Sequence, residues 1–310
     1  MHETAFIKDE LAHLKPRKKC DRLAELSALV RMTGSIHLKR DGLDLTLATP
    51  NPAVARKTLL LLKSLFDIDT GLATEPPAPG QPKASYVINV PAQAGLIYTL
   101  KKSMILDEDS RLMRGAPFQI LKDKCCQAAY MRGVFLAGGS IGTKEHGYHL
   151  EMATANETMA EDLLTLVEEL GLPGRLNERK KDFAVYLTDA DSVIDFLALI
   201  GAHAGVLELE NMRILRMLKS EVNRVVNAET ANLKKTAAAG VAQINDVKSI
   251  DKNIGLDRLP AALKEVARAR IKHPTATIAE LGATFDPPLS KSAVNHRLRR
   301  LHAIAAGLRR

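Results

Sequence analysis

Apolar and polar positions alternate along the chain in two distinct periods, and those periods recur. Leu43, Leu45 and Leu47 follow the Asp41-Gly42 pair at a spacing of two, as on one face of a hairpin strand. Leu59, Leu62 and Leu65 then lie three apart, as on one face of a helix. Both patterns return at an offset of 105 residues. Gly34-Ser35-Ile36 recurs as Gly139-Ser140-Ile141, Gly42 falls opposite Gly147, and Ala48-Thr49 with Asn51 recurs as Ala153-Thr154 with Asn156. The helical face recurs as Leu164, Val167 and Leu170. Each copy reads as a helix (about 20–33 and 125–137), a hairpin (35–48 and 140–153) and a second helix. Two more strands follow (70–75 and 85–90; 174–179 and 183–188), then a third helix, with a Pro-rich loop at 76–82 in the first copy only. The prediction is an α+β fold in which αββαββα is written twice, at about 20–105 and 125–203 within a domain 1–205. Pseudo-two-fold symmetry then follows, with the two first helices packed together and the sheets side by side as one concave saddle.

Beyond that domain the periodicity is helical. Residues 206–240 read as a helix followed by a linker: Met212 to Lys219 is amphipathic, Asn223, Asn227 and Asn232 dilute the pattern, and this stretch with the Ala-rich Thr236 to Gly240 is the expected hinge. Residues 241–310 read as a small all-α domain. A helix from Ala261 ends near Ile271, ahead of His273-Pro274, because a residue preceding proline resists the helical region. Thr277 with Glu280 three residues on is a capping box for the next helix. After Gly282 and Asp286-Pro287-Pro288, Ser290 caps a last helix from Lys291 to about Ala305. Two short helices joined by a Gly and Pro punctuated turn have the plan of a helix-turn-helix.

The last helix divides into two faces. Val294, Leu298, Leu301 and Ala305 form its apolar stripe, and the opposite side carries Lys291, Ser292, Asn295, His296, Arg299 and His302. Asparagine can pair with adenine, lysine or arginine with guanine, and serine with either, so Lys291, Ser292, Asn295, His296 and Arg299 are the candidate base-reading residues. Arg297 and Arg300 flank that face as candidate phosphate contacts, which set register without reading sequence.

Charge supports this division. The chain carries +8, but residues 251–310 hold 12 Lys and Arg against 5 Asp and Glu, which leaves the first 250 residues at +1. A basic terminal module implies a polyanionic partner, double-stranded DNA. No secretion signal is read near the start and no apolar run approaches the ~18 residues of a membrane span, so a cytoplasmic, nucleoid-associated protein without a membrane or small-molecule partner is expected. Cys20 and the adjacent Cys125-Cys126 suit a reduced compartment. Adjacent cysteines lack CxxC spacing, and all three read as small core residues, with no metal or cofactor expected. Ala137-Gly138-Gly139-Ser140-Ile141-Gly142 lacks GxGxxG spacing and closes a helix rather than opening one, so it reads as helix termination.

Two resemblances sharpen the reading. Ala129-Tyr130-Met131-Arg132-Gly133-Val134-Phe135-Leu136-Ala137-Gly138-Gly139, with Glu25 to Ile36 as its first copy, resembles the signature of LAGLIDADG homing endonucleases. In that family each paired helix ends in a metal-binding acid before a glycine. Here Thr33 and Gly138 stand at those positions, so the resemblance implies a domain whose cleavage chemistry, which needs anionic oxygen ligands for Mg²⁺, has been lost. Ile278-Ala279-Glu280-Leu281-Gly282, Asp286 to Ser292 and Val294 to Leu301, behind this domain and the Asn223 to Asn232 segment, are similar to the WhiA family over nearly the whole chain. That resemblance implies promoter binding through the helix-turn-helix, roles in cell division, chromosome segregation and, in filamentous actinobacteria, sporulation, and there a WhiB-like iron–sulfur regulator as partner. An architectural chromosome protein with little sequence preference and a residual Mg²⁺-dependent endonuclease are the alternatives. The tracts Arg17-Lys18-Lys19 and Arg179-Lys180-Lys181 are candidate phosphate contacts along the saddle, or solvated turns.

Overall fold

The computed structural model describes residues 2–40, 42–77, 84–144, 147–180 and 182–308, which leaves Asp41, most of the Pro-rich loop, the turn residues Glu145 and His146, and Lys181 outside the described residues. The chain forms two compact units, Met1–Arg213 and Ile214–Arg310.

In the first unit α1 (His2–His13) precedes two copies of one plan. The first comprises α2 (Lys19–Thr33), β1 (Gly34–Lys39), β2 (Gly42–Thr49), α3 (Pro52–Phe66), β3 (Gly71–Glu75), β4 (Ser85–Val90) and α4 (Ala94–Lys102). The second comprises α5 (Lys124–Gly138), β5 (Gly139–Lys144), β6 (Gly147–Thr154), α6 (Glu157–Glu169), β7 (Arg175–Glu178), β8 (Phe183–Leu187) and α7 (Ala190–Ile200). The sheets are ordered β1-β2-β4-β3 and β5-β6-β8-β7, antiparallel throughout. Their hairpin registers coincide at the offset: Gly34 lies opposite Leu47, and Gly139 opposite Met152. The repeated Ala-Thr-x-Asn motif has a local cause. Asn51 and Asn156 cap α3 and α6 by accepting from the backbone N–H groups of Val54 and Met159, while Thr49 and Thr154 accept from the N–H of the asparagine itself.

Helices α2 and α5 pack together along their lengths, and both repeats share one core. Gly133 makes that approach close: a Cβ there would sit 2.6 Å from the Glu25 carbonyl oxygen and 2.7 Å from the Ala28 Cβ. The buried charge is concentrated at the same crossing. The Glu25 carboxylate, fully enclosed, is ion-paired through Oε1 with Lys57 Nζ at 2.7 Å and accepts through Oε2 from Arg132 Nη2 at 3.1 Å. Lys57 also donates to the Leu11 and Leu14 carbonyls, and Arg132 Nη1 donates to that of Ile200.

Helix α1 was not anticipated by the pattern reading, although Ile7 and Leu11 lie one turn apart and are both buried. Thr4 binds both backbone groups of Ile141 in β5, and Glu10 accepts from the N–H groups of Ala204 and Gly205 at the head of the next helix. Lys8 lies 5.9 Å from the centre of the Phe135 ring, and burial pushes its pKa down to about 8. Between pH 8 and 10.5 the unfolded chain therefore holds a proton that the native one releases, so native stability rises with pH across that window and the cost is complete below it. Lys8→Met is expected to stabilise the first unit at pH 7, with a gain that shrinks as pH rises from 8 toward 10.5. Thermal unfolding at several pH values measures this, and a pH-independent gain would assign it to packing alone.

The stretch read as linker and hinge is helical. Helix α8 (His203–Ile254) runs for 52 residues through the whole of 206–240. Alanine is the best helix former, and each asparagine costs only a few tenths of a kcal/mol, so dilution of the apolar pattern does not break a helix. Gly240 is a packing position: a Cβ there would lie 2.7 Å from the Pro274 carbonyl oxygen. The cysteines also depart from expectation. Only Cys126 is in the core; Cys20 is exposed and Cys125 half-buried, because Cys20 and Cys125 occupy the first turns of α2 and α5, where the helix ends meet solvent. Among the described residues no helix is long and apolar enough to cross a membrane.

Candidate nucleic-acid interface

In the second unit, α9 (Ala261–Lys272), α10 (Ile278–Ala283) and α11 (Lys291–Gly307) close over a core that includes Val247 and Ile250 of α8. The predicted caps are present. Thr277 Oγ1 accepts from the Glu280 N–H at 3.2 Å while the Glu280 carboxylate accepts from the Thr277 N–H at 2.7 Å; those bonds hold the Glu280 carboxyl below its usual range. Ser290 Oγ accepts from the Ala293 N–H at 3.2 Å and starts α11. Gly282 does not break α10 but lets it meet the turn: a Cβ there would fall 2.3 Å from the Leu289 carbonyl oxygen, and the Leu289 N–H donates to the Gly282 carbonyl at 2.9 Å.

Val294, Leu298, Leu301 and Ala305 are the buried residues of α11, and they pack on α9 and α10. At about 100° per residue, this places Ser292, His296 and Arg299 at the centre of the outer face, Lys291 and Asn295 toward one edge, and Arg297 and Arg300 toward the other. Lys291, Ser292, His296, Arg299 and Arg300 are exposed, whereas Asn295 and Arg297 are half-buried. None of these side chains is tied to another described residue, so their donors and acceptors face outward unspent. His302 is different. Its Nδ1 is 2.7 Å from the buried Asp246 carboxylate of α8, which removes it from the outward set and makes it a tie between α11 and α8.

Sequence reasoning missed the residue that orients this pair of helices. Arg270, 2% exposed, donates through Nη1 to the carbonyls of His273 and Ala276, fastening the connection that leads into Thr277. Burial lowers its pKa. An arginine in the last turn of a basic helix looks like surface charge, and nothing local distinguishes it.

In the first unit, Thr33 and Gly138 are the last residues of α2 and α5, the predicted counterparts of the metal-binding acids. Thr33 Oγ1 donates back to the Leu29 carbonyl at 2.8 Å, and a Cβ at Gly138 would lie 2.5 Å from the Ala153 carbonyl oxygen. Neither position offers an anionic oxygen, and Gly138 has no room for one. The first of the basic tracts is not at these ends. Arg17, Lys18 and Lys19, all exposed, sit at the opposite end of α2, about 20 Å away by helical rise, and Lys18 Nζ contacts Cys125 Sγ at 3.6 Å. That tract is therefore not at the paired helix ends. Arg179 is paired with Glu151 at 2.6 Å, Lys180 is exposed, and Lys181 lies outside the described residues.

A duplicated α+β domain built on a close helix pair, joined to a capped helix-turn-helix, defines the class: a LAGLIDADG-like domain fused to a helix-turn-helix. Comparison with known proteins agrees for each part. Residues 19–101 match the WhiA N-terminal LAGLIDADG-like domain, 127–219 the WhiA LAGLIDADG-like domain, and 222–305 the WhiA C-terminal HTH domain. The probable cell division protein WhiA of Heliobacterium modesticaldum is 40% identical over 304 residues, 98% of this chain and 95% of its own length. That of Desulforamulus reducens is 40% identical over 311 residues, 100% and 97% of the two chains. Among solved structures, full-length DUF199/WhiA from Thermatoga maritima has the same fold, with a TM-score of 0.60 at 24% identity over 97% of each chain. The chain belongs to the WhiA family.

Proposed function

We propose that the protein is a sequence-specific, non-catalytic DNA-binding regulator that reads the major groove with α11. The observation that carries this reading is the division of α11 into a fully docked apolar stripe and an outer face of unpaired groups suited to base edges and phosphates. Lys291, Ser292, Asn295, His296 and Arg299 are assigned to bases, and Arg297 and Arg300 to phosphates. Thr277, Glu280 and Ser290 are assigned to holding the helices in place. The absence of an acid at Thr33 and Gly138 supports a first unit without nuclease activity. Membership of a family whose relatives are named probable cell division proteins supports a role in cell division. Chromosome segregation, sporulation, association with the nucleoid and, in an actinobacterial source, partnership with a WhiB-like regulator extend the same reading.

Footprinting against random competitor DNA tests it. A protected site that survives competition supports sequence-specific reading, whereas protection lost in proportion to competitor would make the protein architectural. Arg299→Ala is expected to relax discrimination at one base pair by about 1–3 kcal/mol. Arg300→Ala is expected to weaken binding to cognate and random DNA alike and to reduce the salt slope by about one. Equal behaviour of the two variants overturns the face assignment, and Mg²⁺-dependent nicking of supercoiled DNA by the wild type overturns the absence of catalysis.

A further inference from the structure

We propose that Cys20, Asp21, Cys125 and Cys126 form a tetrahedral zinc site that joins the first turns of α2 and α5. The ligand atoms of these four residues all lie within 4.8 Å of one another. Asp21 Oδ1 is 3.7 Å from Cys20 Sγ and 3.7 Å from Cys126 Sγ. A zinc ion with Zn–S bonds of about 2.3 Å places its tetrahedral ligands about 3.8 Å apart, so this donor set needs little movement to close around one ion.

The arrangement follows from the duplication. Cys20 and Cys125 are equivalent at the 105-residue offset, as are Asp21 and Cys126. Each repeat contributes the second and third residues of its first helix, and the pairing of those helices brings the two half-sites together. Neither adjacent pair is a chelating motif by itself, which is why spacing along the chain does not disclose the set. Three thiols and a carboxylate this close give one another only weak hydrogen bonds, and as anions they repel. A divalent cation removes that conflict.

Positive charge lies beside the cluster. Two helix N-termini point positive dipole ends at the cluster, and Lys18 Nζ touches Cys125 Sγ at 3.6 Å. Binding would release the thiol protons and leave a Cys₃Asp zinc centre with excess negative charge, opposed by Lys18 and the helix ends. Burial is graded from the enclosed Cys126 through Asp21 and Cys125 to the exposed Cys20, so an ion has a path from solvent. The site lies at the opposite end of the helix pair from Thr33 and Gly138, and its role is to staple the two repeats.

Full-length protein, reduced, loaded with zinc and dialysed against metal-free buffer, is expected to retain one zinc per chain. Cobalt in its place should give the intense visible absorption of a tetrahedral thiolate centre. Cys20→Ser, at an exposed position, and Asp21→Asn should each keep the fold, read by circular dichroism, while lowering zinc affinity at least about tenfold. Cys126→Ser should abolish retention, and zinc should raise the Tm of the wild type but not of this variant. No retained zinc, whether the thiols then prove free or disulfide-bonded, overturns the site. So do unchanged zinc affinity in folded Cys20→Ser and a weakly absorbing octahedral cobalt spectrum.

Discussion

Glu25→Ala is expected to destabilise the first unit by about 3–5 kcal/mol, the largest loss expected from any single substitution there. Glu25 is the only anion in contact with Lys57 and Arg132 among the described residues, and all three side chains are almost wholly enclosed. Removing the carboxylate leaves two cations in a poorly polarisable core. They cannot swing out to water without also abandoning the carbonyls of Leu11, Leu14 and Ile200 that they serve. Burial already lowers the Lys57 pKa against the opposing pull of Glu25, so loss of that pull drives Lys57 further toward its neutral form. Urea unfolding of the first unit measures the effect. A further substitution of Arg132 by Met in the Glu25→Ala background should recover part of the loss, because fewer unpaired charges remain buried. A loss below ~1 kcal/mol would mean that water reaches the triad.

Gly282→Ala is expected to disable the second unit while leaving the first intact. The added Cβ meets the Leu289 carbonyl oxygen at 2.3 Å, and that oxygen belongs to backbone whose own N–H is bound to Gly282, so the turn cannot yield without breaking the contact that fixes α11 relative to α10. Overpacking of this kind costs about 1–3 kcal/mol, a large share of the stability of a small helical module. Specific DNA binding should fall at least tenfold and protease sensitivity should rise between α10 and α11, with the unfolding transition of the first unit unchanged. Retention of binding at wild-type strength would show that the turn can move away from α10.

What was legible in the sequence was local. The capping box at Thr277 and Glu280, the Ser290 cap, the stripe on α11 and the hairpin alternation each depend on residues within a few positions of one another, and each has the hydrogen bonds or burial expected. The helices and caps of the candidate reader were therefore readable, but not the places of Arg270 and His302. The partner of His302, Asp246, lies 56 residues away, on a segment whose polar dilution suggested a linker. Residues of α8 failed as a hinge for a related reason: apolar periodicity reports which face is buried, and a helix with a largely exposed surface carries little of that signal while its backbone bonds remain intact.

The sequence by itself determined the duplication, the order of elements in each repeat, the helix-turn-helix and the absence of an acid at Thr33 and Gly138, because repetition, capping and residue identity are properties of short segments or of segments compared with one another. Tertiary structure alone decided where the isolated charges and thiols go. Glu25 and Arg132 are 107 residues apart, and Cys126 and Asp21 are 105 apart. Nothing in either neighbourhood specifies the partner until α2 and α5 pack. The physical reason is burial: a lone acid, arginine or cysteine is unremarkable in water, and its meaning is fixed by which groups replace that water when the chain closes.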